Sequence, residues 1–157
     1  MIETITGDLT VQPQQRFALV VAEFNAYITA KLAEGAAECI RRHGGKDSQI
    51  TQISVPGAFE IPTVANQLAK SGKYAAIICL GCVIRGQTSH FDHVADQVSR
   101  GVGMIGPATG VPTIFGVITA DTQEQALDRA GLKHGNTGWH AALAAISMAS
   151  VMAKITK

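Results

Sequence analysis

The chemistry this chain can offer concentrates in one stretch, Gly81-Cys82-Val83-Ile84-Arg85-Gly86-Gln87-Thr88-Ser89-His90-Phe91-Asp92. It follows the most apolar run of the sequence, Ala75-Ala76-Ile77-Ile78-Cys79-Leu80, which reads as a strand buried on both faces, as in a parallel sheet. The break at Gly86 predicts a turn. Thr88 and Ser89 then predict a helix start, with Ser89 and Asp92 at capping-box spacing. A strand, a glycine turn and a capped helix start leave backbone N–H groups facing outward, where the helix dipole favours an anion such as phosphate. His90 stands in that first turn. An imidazole that titrates near neutrality beside a phosphate site suits proton transfer on a phosphorylated substrate.

Two further segments carry chemically useful residues: Glu23-Phe24-Asn25, and Pro56-Gly57-Ala58-Phe59-Glu60-Ile61-Pro62. Positioning them requires strands just before them. Phe17 to Ala22 is a second two-sided apolar run and predicts the first strand. Asn25 is placed to cap a helix whose apolar face is Ile28, Leu32, Ala36, Cys39 and Ile40, ending at Arg41-Arg42-His43-Gly44-Gly45. Ile50 to Val55 predicts a less apolar second strand, nearer a sheet edge. The helix after it opens with an early proline, Pro62, shows Val64, Ala65, Leu68 and Ala69 on one face, and ends at Ser71-Gly72.

The helix from Thr88 carries Val94, Val98 and Val102 and is expected to fade between Gly103 and Pro107. Thr113 to Thr119 predicts the fourth strand. A short helix capped by Asp121 or Thr122 follows, running through Arg129 to Gly131. A last helix from Asn136 to the C-terminus shows the stripe Trp139, Leu143, Ile146 and Ser150. Strands that alternate with helices demand a parallel sheet covered on both faces, so the expectation is an α/β three-layer sandwich with four strands. Phe24, Ala58 to Glu60 and Gly86 to His90 then all fall beyond the carboxyl ends of strands, where open α/β sheets bind ligands. Together they predict a pocket with an aromatic platform, a carboxylate, an anion site and a titratable imidazole.

The 157 residues read as a single domain, 1–157, with residues 1–16 as an N-terminal arm; a chain of this length can bury about 70% of its unfolded surface. The composition is 46% hydrophobic and 16% charged with a net charge of +1, which gives no reason to expect nucleic acid or an anionic membrane as partner. No signal peptide is expected, because Met1 to Arg16 is mostly polar, and no membrane span, because no apolar run reaches roughly 18 residues. Cys39, Cys79 and Cys82 read as small core residues of a protein in the reducing cytoplasm rather than as redox or zinc ligands.

Several patterns are weaker than they look. Gly101-x-Gly103-x-x-Gly106 has a helix before it and Pro107 after it, the wrong setting for a dinucleotide fingerprint. His90-x-x-His93 lacks a third ligand, so no metal is expected. His43, His134 and His140 read as solvated. Locally, Phe24 reads equally as platform or core, and Glu60 could merely complement a helix dipole. Arg129 reads more readily as a dipole partner, and Phe115 as core.

Five motifs in order nevertheless resemble the lumazine synthase family, over residues 16 to 153. They are Phe24-Asn25, Pro56 to Pro62, Gly81 to Asp92, Phe115-Gly116-Val117-Ile118-Thr119, and Glu124-Gln125-Ala126-Leu127-Asp128-Arg129-Ala130-Gly131. The resemblance implies a flavodoxin-like sheet and the penultimate step of riboflavin biosynthesis. In that step 5-amino-6-(D-ribitylamino)uracil and 3,4-dihydroxy-2-butanone 4-phosphate condense to 6,7-dimethyl-8-ribityllumazine, phosphate and water, without a cofactor. Carried over by motif, Phe24 would stack on the pyrimidinedione, and Ala58, Phe59 and Glu60 would hold the ribityl chain. The backbone of Cys82, Val83 and Ile84 would read the uracil edge, Gln87 and Thr88 would receive the phosphate, and His90 would move protons. Phe115 and Arg129 would complete the site from an adjacent subunit.

The same resemblance implies a homo-oligomer of pentamers. The short connection Gly131 to Asn136 favours further assembly into an icosahedral shell. The arm would add a strand to a neighbour's sheet, and riboflavin synthase is a candidate partner. Two positions depart from the family pattern. Gln87 stands where a small or acidic residue is usual, and Thr137 where a lysine near the phosphate is common, so Lys133 is a candidate substitute. Two other classes stay open on the sequence: a flavodoxin-like electron carrier, although Glu23-Phe24-Asn25-Ala26-Tyr27 lacks its hydroxyl-rich loop, and a non-catalytic flavin- or pterin-binding shell protein.

Overall fold

The aliphatic runs pair as parallel strands β1 (Phe17–Ala22), β2 (Ile50–Val55), β3 (Ala76–Ile84) and β4 (Thr113–Ala120), in the order β2-β1-β3-β4. The computed structural model describes residues 1–157. β1 and β3 are central and buried along almost their whole length, while β2 and β4 are edges with half-buried or exposed positions. That is why β2 is the less apolar of the first two strands: only a strand flanked on both sides and both faces needs a continuous apolar run.

Helices α1 (Ala26–Arg42), α2 (Ile61–Lys70), α3 (His90–Thr109), α4 (Gln123–Asp128) and α5 (Thr137–Ile155) supply the outer layers. Strand alternation sorts the core into two halves. Phe17, Leu19, Ile78 and Leu80 pack against α1 and α5, whereas Ala18, Val20, Ile77 and Cys79 pack against α2 and α3. This is the three-layer sandwich the sequence predicts. Leu80 is fully buried, so Leu80→Ala would cost about 2–5 kcal/mol.

α5 is apolar enough in length and mean hydropathy, 1.2, to resemble a membrane span. Its packing gives another account of that apolarity. The buried face is Gly138, Ala141, Ala142, Ala145, Ile146, Ala149 and Ser150, and a methyl group on Gly138 would overlap the carbonyl of Leu32 on α1. Small residues let the two helices lie close. The expected stripe is therefore corrected: Ile146 and Ser150 are buried, but Trp139 and Leu143 are only half-buried, because alanines occupy the contact face.

Other expectations also change. Asn25 does not cap α1 with its side chain; it adopts a left-handed backbone, φ 62°, and points its amide elsewhere. Ser89 makes no side-chain cap either, so the capping box with Asp92 is not formed; Thr88 Oγ1 instead accepts from the His90 N–H at 3.3 Å. α3 continues past Gly103 to Thr109 with Pro107 inside it. Proline removes one backbone bond there, close to the helix end where few bonds remain to lose.

Thr122 and Asn136 do cap α4 and α5, accepting from Gln125 N at 3.1 Å and Trp139 N at 3.1 Å. Between these helices lies an antiparallel ribbon absent from the sequence reading, β5 (Ala130–Leu132) and β6 (Gly135–Asn136). His43 is not simply solvated: its ring Nδ1 lies 2.6 Å from the Cys39 carbonyl and its edge meets Trp139. Residues 1 to 16 form no strand in the isolated chain. Most are exposed, but Val11 and Gln15 are buried, Val11 within the α1/α5 half of the core; Asp8 N donates to Ser150 Oγ at 2.9 Å and Lys154 Nζ to the Thr6 carbonyl at 2.7 Å.

Candidate active site at the carboxyl rim of the sheet

The site begins where β1 and β2 run out and the chain keeps their alignment for two more residues. Glu23 N donates to the Val55 carbonyl at 2.8 Å, and Phe24 N to the Pro56 carbonyl at 3.0 Å. These bonds hold Phe24 beside Pro56-Gly57. Phe24 is 71% exposed and Phe59 50% exposed, although an aromatic ring gains by burial. Two exposed rings on one rim make an unfilled apolar surface.

Ala58 to Glu60 form a single tight turn that leads into α2, with Ala58 buried and Phe59 and Glu60 exposed. The turn can lie against β3 because Gly81 has no side chain: a methyl there would stand 3.1 Å from Ile61 Cδ1 and 3.5 Å from Ala58 Cβ. Glu60 folds back towards Gly57, where an added methyl would meet its Oε2 at 3.0 Å.

β3 supplies the middle of the rim. Its pairing with β1 stops at Val21 and Leu80, while its pairing with β4 continues to Ile84 and Ala120. Gly81 to Ile84 are thus bonded on one side only. Arg85 N donates to the Ala120 carbonyl, so by alternation the amide groups of Val83 also turn to β4 and those of Cys82 and Ile84 turn to the open side. Asn25 Nδ2 already uses one of them, donating to the Cys82 carbonyl at 2.9 Å. The strained backbone of Asn25 therefore has a role that the sequence did not reveal: its amide ties the Phe24 loop to β3. Positive φ in a residue other than glycine was the missing signal, and only coordinates carry it.

Cys82 is buried on the α1/α5 face and Cys79 on the opposite face, so C-x-x-C spacing on a strand sends the two thiols apart. Burial pushes the Cys79 thiol up to about 12 and the Cys82 thiol up to about 11. Neither is a nucleophile near neutrality.

Gln87, Thr88 and His90 are exposed between the end of β3 and the first turn of α3. No group of three or more His, Cys, Asp or Glu side chains has the arrangement of a metal site. The G-x-G-x-x-G pattern lies wholly within α3. Arg85, which the sequence reading passed over, reaches Asp121 Oδ1 with Nε at 2.9 Å and stands over the Phe91 ring at 4.5 Å from its centroid.

Phe115 and Arg129 do not join this cluster. Phe115 pairs in register with Cys79, and Cys82 with Ile118, so Phe115 lies about 10 Å upstream along the ladder. It is on the free edge of β4 and 44% exposed. Arg129 ends α4, is exposed, and makes no ion pair. Lys133 is exposed at the turn of the β5–β6 ribbon. A groove of about 570 Å³ lies away from the rim among Lys31, Glu34, Glu38, Arg41, Trp139 and His140.

The rim can therefore hold a flat heterocycle on Phe24, read its edge with strand backbone, and receive an anion at the start of α3. Comparison with known proteins places the chain in a family. A sequence model of the 6,7-dimethyl-8-ribityllumazine synthase family matches residues 14–153. A 6,7-dimethyl-8-ribityllumazine synthase of Prosthecochloris aestuarii (strain DSM 271 / SK 413) is 51% identical over 154 residues, 98% of this chain and 99% of that protein. With the match running through every rim segment and almost end to end, this chain belongs to the 6,7-dimethyl-8-ribityllumazine synthase family.

Proposed function

We propose that this protein makes 6,7-dimethyl-8-ribityllumazine by condensing 5-amino-6-(D-ribitylamino)uracil with 3,4-dihydroxy-2-butanone 4-phosphate, releasing phosphate and water. The observation that carries the reading is the one-sided end of β3, Gly81 to Ile84, open beside Phe24. Phe24 stacks on the pyrimidinedione. Cys82 and Ile84, with Val83 holding the strand between them, meet its edge through backbone. Ala58, Phe59 and Glu60 hold the ribityl chain, Glu60 accepting hydrogen bonds from its hydroxyl groups.

The amine of the uracil is already nucleophilic towards a ketone. Holding the two substrates in register can thus supply much of the rate, with effective molarities of roughly 10⁵ to 10⁸ M in well-oriented cases. The amine attacks the carbonyl and loses water to give an imine. Phosphate then leaves, and ring closure with loss of a second water completes the product. His90, at the first turn of α3, moves protons in these steps, a contribution of about 10² to 10⁴. Gln87 and Thr88 offer the phosphate backbone N–H groups at the helix start. No cofactor takes part.

Phe115 and Arg129 act on the site of an adjacent subunit, Phe115 closing over the heterocycle and Arg129 clamping the phosphate. The subunits form a pentamer, and the short Gly131–Asn136 connection favours further assembly into an icosahedral shell in the cytoplasm. The chain acts as one domain, and its arm, residues 1–16, adds a strand to a neighbour's sheet; riboflavin synthase is a candidate partner. Mixing the purified protein with both substrates and following lumazine fluorescence tests the reaction; light scattering tests the assembly. Protein that binds the product but never forms it would overturn the proposal.

A further inference from the structure

We infer that Arg85 is a positioning residue that locks the helix start carrying His90 onto the end of the sheet; the assignment rests on the proposed reaction. Its backbone is fixed, because Arg85 N extends the β3–β4 ladder to the Ala120 carbonyl at 2.8 Å. Its side chain then reaches in two directions. Nε donates to Asp121 Oδ1 at 2.9 Å, next to the end of β4, and Nη1 lies 3.7 Å from Asp92 Oδ1. The guanidinium also covers the Phe91 ring, 4.5 Å from its centroid. Phe91 and Asp92 directly follow His90.

The intervening loop has little else to hold it. Between Arg85 and His90 the one side-chain hydrogen bond is His90 N to Thr88 Oγ1, and nothing stands within 4 Å of a methyl placed on Gly86. The planar fork of arginine suits this task, binding a carboxylate at its edge while stacking on a ring. Charge is the second contribution. Asp92 and Asp121 lie on the rim where the phosphate substrate must approach, and Arg85 between them offsets both carboxylates.

The test separates geometry from charge by steady-state kinetics on the assembled protein. Arg85→Ala is expected to lower kcat by about 10- to 100-fold, the penalty of a displaced catalytic group, and to raise KM for the phosphorylated substrate several-fold. KM for the ribitylaminouracil should stay within about two-fold. Arg85→Lys restores the charge but not the fork, so it should recover KM for the phosphorylated substrate and leave kcat low. Exposed ion pairs add little to a fold, so the melting temperature should shift by no more than about 2–4 °C.

Should Arg85→Ala fail to fold, Asp121→Asn weakens the same anchor from the other side and is expected to lower kcat in the same way. An unchanged kcat in Arg85→Ala or in a folded Asp121→Asn, or a kcat fully restored by lysine, overturns the positioning role while leaving the reaction intact. A wild-type protein that forms no lumazine overturns the reaction itself, and this assignment with it.

Discussion

The rim around Phe24, Ala58 to Glu60 and Cys82 to Ile84 is cross-braced within one chain, whereas Phe115 and Arg129 stand on the outer edge with nothing to hold. On the rim, backbone bonds join Phe24 to Pro56 and the Asn25 amide joins the same loop to β3. At the edge, Phe115 is exposed on β4 and Arg129 has no carboxylate partner. Phe115 on the β4 edge and Arg129 at the end of α4 would each gain by burial or pairing. In the proposed assembly one half of the site is thus preformed within a chain, and the other half would be met by a second copy.

The largest effect should come from separating the copies. Protein dissociated to monomers is expected to lose turnover altogether and regain it on reassembly; monomers with full activity would show that each chain holds a complete site. The same division predicts complementation. Co-refolding His90→Ala with Arg129→Ala should restore activity to about a quarter of sites by random mixing, because one interface can then carry both intact residues. Activity no higher than the mean of the two variants would place His90 and Arg129 in the same subunit's site.

Taken singly, His90→Ala should slow turnover by about 10² to 10⁴ while leaving measurable activity. Full activity in that variant would remove His90 from the mechanism. Arg129→Ala should raise KM for the phosphorylated substrate by about 10- to 100-fold, the size of a lost hydrogen bond to a charged group. KM for the uracil should change far less.

Lys133 sits at the turn of the β5–β6 ribbon, while Thr137 N is bonded to the Arg129 carbonyl. Lys133→Ala should therefore weaken use of the phosphorylated substrate by only about two- to five-fold, as for an exposed charge. No change would end its role as a substitute for the lysine missing at Thr137. Smallest of all is the expected thiol reactivity. With burial raising Cys39 and Cys82 to about 11 and Cys79 to about 12, the native thiols should resist alkylation at pH 8 and react once the chain unfolds. Rapid labelling of Cys82 in the native protein would show that the rim opens.

The strands and helices were legible because their pattern is local. Phe17 to Ala22 and Ala75 to Leu80 are apolar without a break, and Ile28, Leu32, Ala36 and Ile40 repeat at helical spacing. The capping residues were harder. Thr122 and Asn136 cap their helices, but Asn25 and Ser89 do not, although all four are suitable types. A capping side chain has competitors, and at Asn25 the Cys82 carbonyl, 57 positions away, wins. The alanine face of α5 was masked by the larger residues beside it, since hydropathy marks what is apolar and not what is small enough to touch α1.

Local pattern alone carried the alternation of the four main strands with their helices, the two-sided apolar strands at the centre and the residues that end them, because periodicity and turn chemistry act over a few neighbouring positions; the β5–β6 ribbon it did not carry. Tertiary structure alone decided that β3 outruns β1 and leaves backbone groups unpaired. It also decided that Asn25 and Arg85 tie the rim loops to β3 and to Asp121, and that Phe115 stands on the outer edge of the sheet. Those outcomes depend on where separate strands stop relative to one another, a relation that no single stretch of chain encodes.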